Sequence, residues 1–161
     1  MSIDFFFVKT RQVKSPVRGT SESAGIDFFV PDDFEPVEVR PGSSILIPSG
    51  IKCAYPPGYA LILFNKSGIA TKYKLTSLAC VCDSDYQGEI HISLINVGKD
   101  MVSINPGMKI AQFILVPISL AEPQELGSEE DLWSSWSSMS ASRQTSESSR
   151  GEGGFGSTGE F

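Results

Sequence analysis

From residue 2 to about residue 120 the apolar residues fall in short runs cut by glycine and proline. IDFFFV, AGIDFFV, SSILIPSG, IKCAY, YALILF, EIHISLIN and KIAQFILVPI each have the length and content of a β-strand. Period two is plainest in the last-but-one run. There Ile90, Ile92 and Leu94 face one way, and His91, Ser93 and Ile95 face the other. PPG at 56–58 and PG at 41–42 and 106–107 predict turns. Many short strands at this spacing predict an all-β body, a barrel or jelly roll. No repeat with a period of ~20–50 residues interrupts it.

The pattern changes after Pro123. GSEEDLWSSWSSM places acidic residues first, then Leu132, Trp133, Trp136 and Met139 near helical spacing, which fits a short helix or an adhesive arm, with Ser128 as the candidate N-cap. Two tryptophans in a serine-rich arm favour burial, and another subunit is the surface expected to cover them. From Ser137 to Ser149 the composition predicts a flexible linker. The final stretch, RGEGGFGSTGEF, contains almost nothing that packs into a core. The expected organisation is a body over 1–125, an arm and linker over 126–149, and a glycine-rich tail over 150–161. The tail is either a solvated end or a flap that orders around a ligand.

The formal net charge of −6 argues against electrostatic capture of a polynucleotide, though a few well-placed cations still bind a small anion. No apolar run approaches the ~20 residues that span a bilayer, so no membrane association is expected. MSIDFFFVKTR resembles neither a secretory signal nor a transit peptide. The expected location is the cytoplasm, or the nucleus of a eukaryotic host. Cys53, Cys80 and Cys82 are odd in number and accompany a single histidine, His91, so reduced, packed thiols are expected rather than a metal cage.

Five segments carry candidate chemistry. In the tail, GGFGST offers backbone N–H groups and the hydroxyls of Ser157 and Thr158 to an anion, Arg150 offers a fork of donors, and Phe155 a ring that can lie on a nucleobase. It is not a Walker A loop, because no lysine precedes Ser157. NKSGIATK, 65–72, reads as a Lys-Ser-Gly turn: a modest anion site, or a hairpin turn with a solvated lysine. CVCDSDYQGEI places Asp83, Asp85 and Tyr86 before a glycine, where a carboxylate can orient and deprotonate a water or merely form the turn. Asp27, inside an apolar strand, needs a charged or backbone partner. Gln112 lies in another apolar strand, where an amide serves structure or chemistry alike.

Together these segments resemble the five motifs of the homotrimeric dUTP diphosphatases. AGIDFF is similar to the first, NKSGIATK to the second, CVCDSDYQGEI to the third, PGMKIAQFI to the fourth and RGEGGFGSTG to the fifth. The resemblance covers about 8–159, apart from the arm and linker. It implies a single-domain, all-β distorted jelly-roll barrel, assembled as a homotrimer whose C-terminal arm is exchanged between subunits. It also implies hydrolysis of dUTP to dUMP and pyrophosphate by water attack on the α-phosphorus, which limits uracil in DNA and supplies dUMP for thymidylate synthesis.

By the same resemblance, Asp83 stands where the water-activating carboxylate stands. Tyr86 matches the ring that packs on the deoxyribose and leaves no room for a 2′-hydroxyl. Backbone from Ser77 to His91, with Val81 between them, would recognise uracil. Lys66, Ser67, Gly68 and Gln112 would hold phosphates, with Asp27 in support. Arg150, Gly156, Ser157 and Thr158 would close over the phosphates and Phe155 over the base. Mg2+ would ride on the triphosphate and waters, with no direct protein ligand. Each site would draw motifs one, two and four from one chain, three from a second and five from a third. A flexible coil of ~25 residues reaches roughly 25–30 Å, enough for such delivery.

Three departures stand out. Lys66 replaces the usual arginine, Ser77 a frequent amide and Cys80 a usual glycine. The nearest alternative is a dCTP deaminase of the same fold, whose glutamate would stand at Ser93, three residues before Asn96. A trimeric regulator that binds proteins is the alternative outside catalysis, and the arm leaves room for a secondary protein partner.

Overall fold

The computed structural model describes residues 3–141. The chain divides into two compact units, Met1–Leu120 and Ala121–Phe161. The first is built of strands: β1 (Phe6–Lys9), β2 (Val17–Arg18), β3 (Ile26–Phe29), β4 (Val37–Val39), β5 (Ser44–Pro48), β6 (Ile51–Ala54) and β7 (Tyr59–Phe64). Helix α1 (Ser67–Tyr73) follows, then β8 (Leu75–Ser77), β9 (Val81–Cys82), β10 (His91–Asn96), β11 (Val102–Ile104) and β12 (Lys109–Pro117). They form a five-stranded sheet in the order β2-β3-β12-β7-β9, a three-stranded sheet β5-β10-β8, and two pairs, β1-β6 and β11-β4. All pairings are antiparallel. The result is a jelly-roll-like β fold.

Alternation decides which side chains enter the core. Ile92 and Leu94 on β10 are buried, as is Ile90 before it, while His91 is exposed. Phe28 of β3 and Phe113 of β12 meet at the centre with ring centroids 4.5 Å apart and planes tilted by 52°. Ile47, Leu61, Ile92 and Ile104 are wholly enclosed around them. Each such side chain contributes about 1.5–3 kcal/mol by burial. The predicted Pro-Gly turns hold glycines at φ of 76° (Gly42), 83° (Gly58) and 75° (Gly107), a region that an L side chain resists.

The sequence around Lys66 departs from expectation. Instead of a Lys-Ser-Gly turn, Ser67 opens α1. Ile69 and Tyr73, four apart on one face, pack against the core, and that contact outweighs the weak helix preference of Gly68. Lys74, at φ 56°, ends the helix by donating its N–H to the Ala70 carbonyl at 3.1 Å.

The second unit carries α2 (Glu129–Ala141). Of the two alternatives the helix is the one formed, and the candidate Ser128 caps it. Its Oγ accepts from the Asp131 N–H at 3.1 Å and donates to the Asp131 carboxylate at 2.8 Å. Trp133 lies beside Glu129 and donates its ring N–H there at 3.0 Å. The linker expected from Ser137 is helical as far as Ala141, because serine is a tolerable helix former once a capped helix has started. Residues 142–149 of that linker lie outside the described residues, as do the tail candidates Arg150, Phe155, Gly156, Ser157 and Thr158.

Candidate active site

Two groups of polar side chains stand out in the first unit, one on each face of the β3-β12-β7 sheet. The first surrounds a cavity of about 210 Å³ lined by Ala79, Cys80, Val81, Cys82, Asp83, Tyr86, Ile90, His91 and Phe113. Its wall is the segment from β9 into β10. β9 is held on β7 in the register Leu61↔Cys82 and Ile62↔Val81. Tyr55 tightens this edge by donating its hydroxyl to the Cys82 carbonyl at 2.7 Å.

Beyond Cys82 the chain turns. The Tyr86 N–H donates to the Asp83 carbonyl at 3.1 Å, which closes the turn and leaves the Asp83 carboxylate at the exposed lip. The Tyr86 hydroxyl donates to the Glu89 carbonyl at 3.0 Å, so the ring lies back across Gly88. A Cβ at Gly88 would collide with that ring and its hydroxyl. Glycine there is what gives Tyr86 its position.

Glu89 anchors the far side of the turn, a role the sequence reading did not detect. Its carboxylate accepts from the Gly50 N–H at 2.6 Å and pairs with Arg11, whose Nε lies 3.2 Å away. The partners are far apart in the chain, so no local pattern announces them. His91 keeps Nδ1 2.9 Å from the Glu89 carbonyl. Ser77 sits beside the cavity rather than in its lining: its N–H is already given to Asn65 Oδ1 at 2.8 Å, and its hydroxyl lies 3.5 Å from Cys80 Sγ.

The thiols are free and half-buried. Burial first, and the neighbouring Cys82 second, push Cys53 up to about 12; burial likewise raises Cys82. Both are protonated at neutral pH, so neither is a ready nucleophile.

The second group lies on the opposite face. Gln112 stands across from Asp27 on one side and Phe64 on the other, while its neighbour Phe113 points into the core and the cavity. Asp27 is only 6% exposed. Its Oδ1 receives Lys66 Nζ at 2.9 Å and its Oδ2 receives Lys109 Nζ at 3.0 Å. Lys66 is thus neither a solvated turn residue nor a free cation, and Lys109 joins the group without any sequence signal. Gln112 donates its amide to the Asn65 carbonyl at 2.9 Å, and lies so close to Gly25 that a Cβ there would come within 2.6 Å of its Oε1. Ser67 and Gly68 are exposed beside this group, with open space where a Gly68 side chain would stand.

One lip therefore offers a carboxylate beside a ring and a small cavity, suited to an activated water and a flat base. The other face offers cations, an amide and a hydroxyl, suited to an anion. Among the described residues, none of the second group lines the cavity.

A family model described as dUTPase matches residues 11–159. A deoxyuridine 5'-triphosphate nucleotidohydrolase of Bartonella bacilliformis is 38% identical over 149 residues, 90% of this chain and 82% of that protein. One from Chlamydia muridarum is 34% identical over 158 residues, 96% of this chain and 98% of its own length. A solved variant of the Staphylococcus bacteriophage 80alpha dUTPase with dUpNHpp shares the fold at a TM-score of 0.77 and 23% identity, covering 97% of this chain and 98% of that one.

Proposed function

This chain belongs to the dUTPase family, and from that premise we infer how its residues hydrolyse dUTP to dUMP and pyrophosphate. The chain is a dUTP diphosphatase. The observation that carries the assignment of roles is the pairing, at one lip, of an exposed carboxylate with a small cavity and an aromatic ring.

Asp83 orients and deprotonates the attacking water. Its exposure at the lip leaves it open to water and phosphorus alike. Tyr86, laid over Gly88, is the wall against a 2′-hydroxyl. The backbone from Ser77 to His91, including Val81, takes the uracil edge, although the Ser77 N–H is committed to Asn65. Lys66, Ser67, Gly68 and Gln112 hold phosphate oxygens, with Asp27 setting the charge around them. Phosphoryl transfer asks chiefly for positioning and charge neutralisation, which these groups provide. Arg150, Phe155, Gly156, Ser157 and Thr158 close over the bound nucleotide and exclude water.

Mg2+ fits this scheme as a companion of the substrate. The carboxylate on the phosphate face, Asp27, has both oxygens taken by ammonium groups, so it is not free to ligate a metal. Bound to the triphosphate, the ion would neutralise part of its charge.

The placement of the two groups on opposite faces of one sheet supports assembly. A cavity on one face and a phosphate cradle on the other do not meet within a chain, so a neighbouring copy is needed to join them. This agrees with a homotrimer whose C-terminal arm crosses to a neighbour. The body, arm and tail divisions at 125 and 149 serve that delivery. Leu132 and Trp133, exposed on α2, suit a contact with another subunit or a secondary protein partner through 126–149. Among the described residues no helix is long and apolar enough to cross a membrane, and we place the enzyme with the nucleotide pool of the cytoplasm. A deaminase is disfavoured because the position of its glutamate is Ser93, in mid-strand opposite Leu46.

The test is pyrophosphate release from dUTP beside dTTP, dCTP and UTP. Only dUTP should turn over rapidly; equal rates on all four would remove the base and sugar assignments. The ring of Tyr86 can be tested through its support. Gly88→Ala should displace Tyr86 and reduce the preference for dUTP over UTP at least ~10-fold in kcat/KM, a loss of about 1.4 kcal/mol in discrimination.

A further inference from the structure

We propose that Lys109 is a positioning residue for the triphosphate: it holds the charge of Asp27 so that Lys66 is free to move onto phosphate. The inference rests on the reading that phosphates lie at Lys66, Ser67 and Gln112.

The backbone goes out of its way to place Lys109. β12 pairs with β3 as Gln112↔Asp27 and Phe113↔Ile26, but the register shifts between Lys109 and Ala111. In an unbroken strand, positions 109 and 112 stand on opposite faces. The irregularity turns Lys109 onto the Asp27 face, as bulges beside functional sites commonly re-aim a side chain. Lys109 is then held twice, by Asp27 Oδ2 at 3.0 Å and over the Phe29 ring at 5.7 Å from its centroid. Lys66 differs. It sits between β7 and α1, and among the described residues Asp27 is the one partner of its ammonium, at 2.9 Å. With two contacts against one, Lys109 is the lysine assigned to stay on Asp27 and Lys66 the one assigned to move.

Charge explains why both are needed. A single carboxylate between two ammonium groups leaves one net positive charge in a chain whose total is −6. When Lys66 turns to an arriving triphosphate, Asp27 stays nearly buried. A buried carboxylate left without a partner is costly, and its charge would repel the phosphates. Lys109 removes both penalties. An arginine at 66 could hold a carboxylate and a phosphate oxygen together through its fork of donors, whereas the lysine is a point charge that serves one at a time. With a lysine at 66, the second cation is what keeps Asp27 paired once Lys66 has turned to phosphate.

The experiment measures binding of dUpNHpp with Mg2+, and of deoxyuridine, which has no phosphate, to the full-length protein. Lys109→Met keeps the bulk and loses the charge. It should weaken dUpNHpp at least ~10-fold, the scale of one charged hydrogen bond, and leave deoxyuridine within ~2-fold. Lys109→Arg should retain binding. In an Asp27→Asn background, which has no charge left to hold, Lys109→Met should add less than ~2-fold; this neutral pair also separates the effect from misfolding. Unchanged dUpNHpp affinity in Lys109→Met, parallel loss of both ligands, or the full effect persisting beside Asp27→Asn would each overturn the inference. If the unaltered protein binds neither ligand, the substrate reading falls, and this inference with it.

Discussion

Asp83→Asn is expected to lower kcat for dUTP at least ~100-fold, within the ~10²–10⁴ that a positioned general base supplies. Asparagine keeps the shape and can still accept a hydrogen bond from water, but it cannot take the proton. The turn should survive the change, because it is the main-chain carbonyl of residue 83 that receives the Tyr86 N–H, at 3.1 Å. The side chain is exposed at the lip. Affinity for dUpNHpp should therefore stay within a few-fold, and the loss should fall on kcat rather than KM, as it does when an interaction exists only in the transition state. Steady-state pyrophosphate release and calorimetric binding of dUpNHpp test the two halves separately. A variant that keeps a tenth or more of the turnover would deny Asp83 the role of base. One that keeps kcat but loses affinity would make it a ground-state contact.

The long strands were legible because each buries alternate residues against one core. YALILF is β7 residue for residue, and the run starting at Lys109 is β12 nearly to its end. The two- and three-residue strands β2, β4, β8, β9 and β11 were not separately legible. A segment that short contains at most one and a half periods, and its pairing is dictated by neighbours remote in sequence. α1 was misread for a related reason. Gly68 argues locally for a turn, and only the packing of Ile69 and Tyr73 on the core argues for a helix. On the site, the sequence pointed to Asp27, Asp83, Tyr86 and Gln112, acids, a ring and an amide in places where such residues need a reason. It gave no hint of Lys109, because a shift of register by one residue leaves no mark in composition. Nor did it reveal Glu89 with Arg11, which meet only when the fold closes. The opposition of the two faces follows from Gln112 and Phe113 being neighbours on one strand, yet its meaning emerges only once the cavity is located.

That opposition supports the second large effect. Asp83→Asn and Lys66→Ala, each nearly inactive alone, are expected to restore activity when the two chains are unfolded, mixed and refolded together. Asp83 opens on the cavity side of the sheet, and Lys66 belongs to the Asp27 side. If each site joins the Asp83 lip of one chain to the Lys66 face of another, a random mixture of equal amounts gives about a quarter of the sites both intact halves, from the probabilities for a symmetric assembly. Turnover should rise to about a quarter of the unaltered enzyme's, far above either parent, and mixing without unfolding should raise it only as fast as subunits exchange. If instead one chain supplied both groups, every site would carry one lesion whatever its neighbours, and the mixture would remain at the mean of the two parents. The result thus turns on where β12 sends adjacent side chains: Gln112 to the Asp27 face, Phe113 to the cavity.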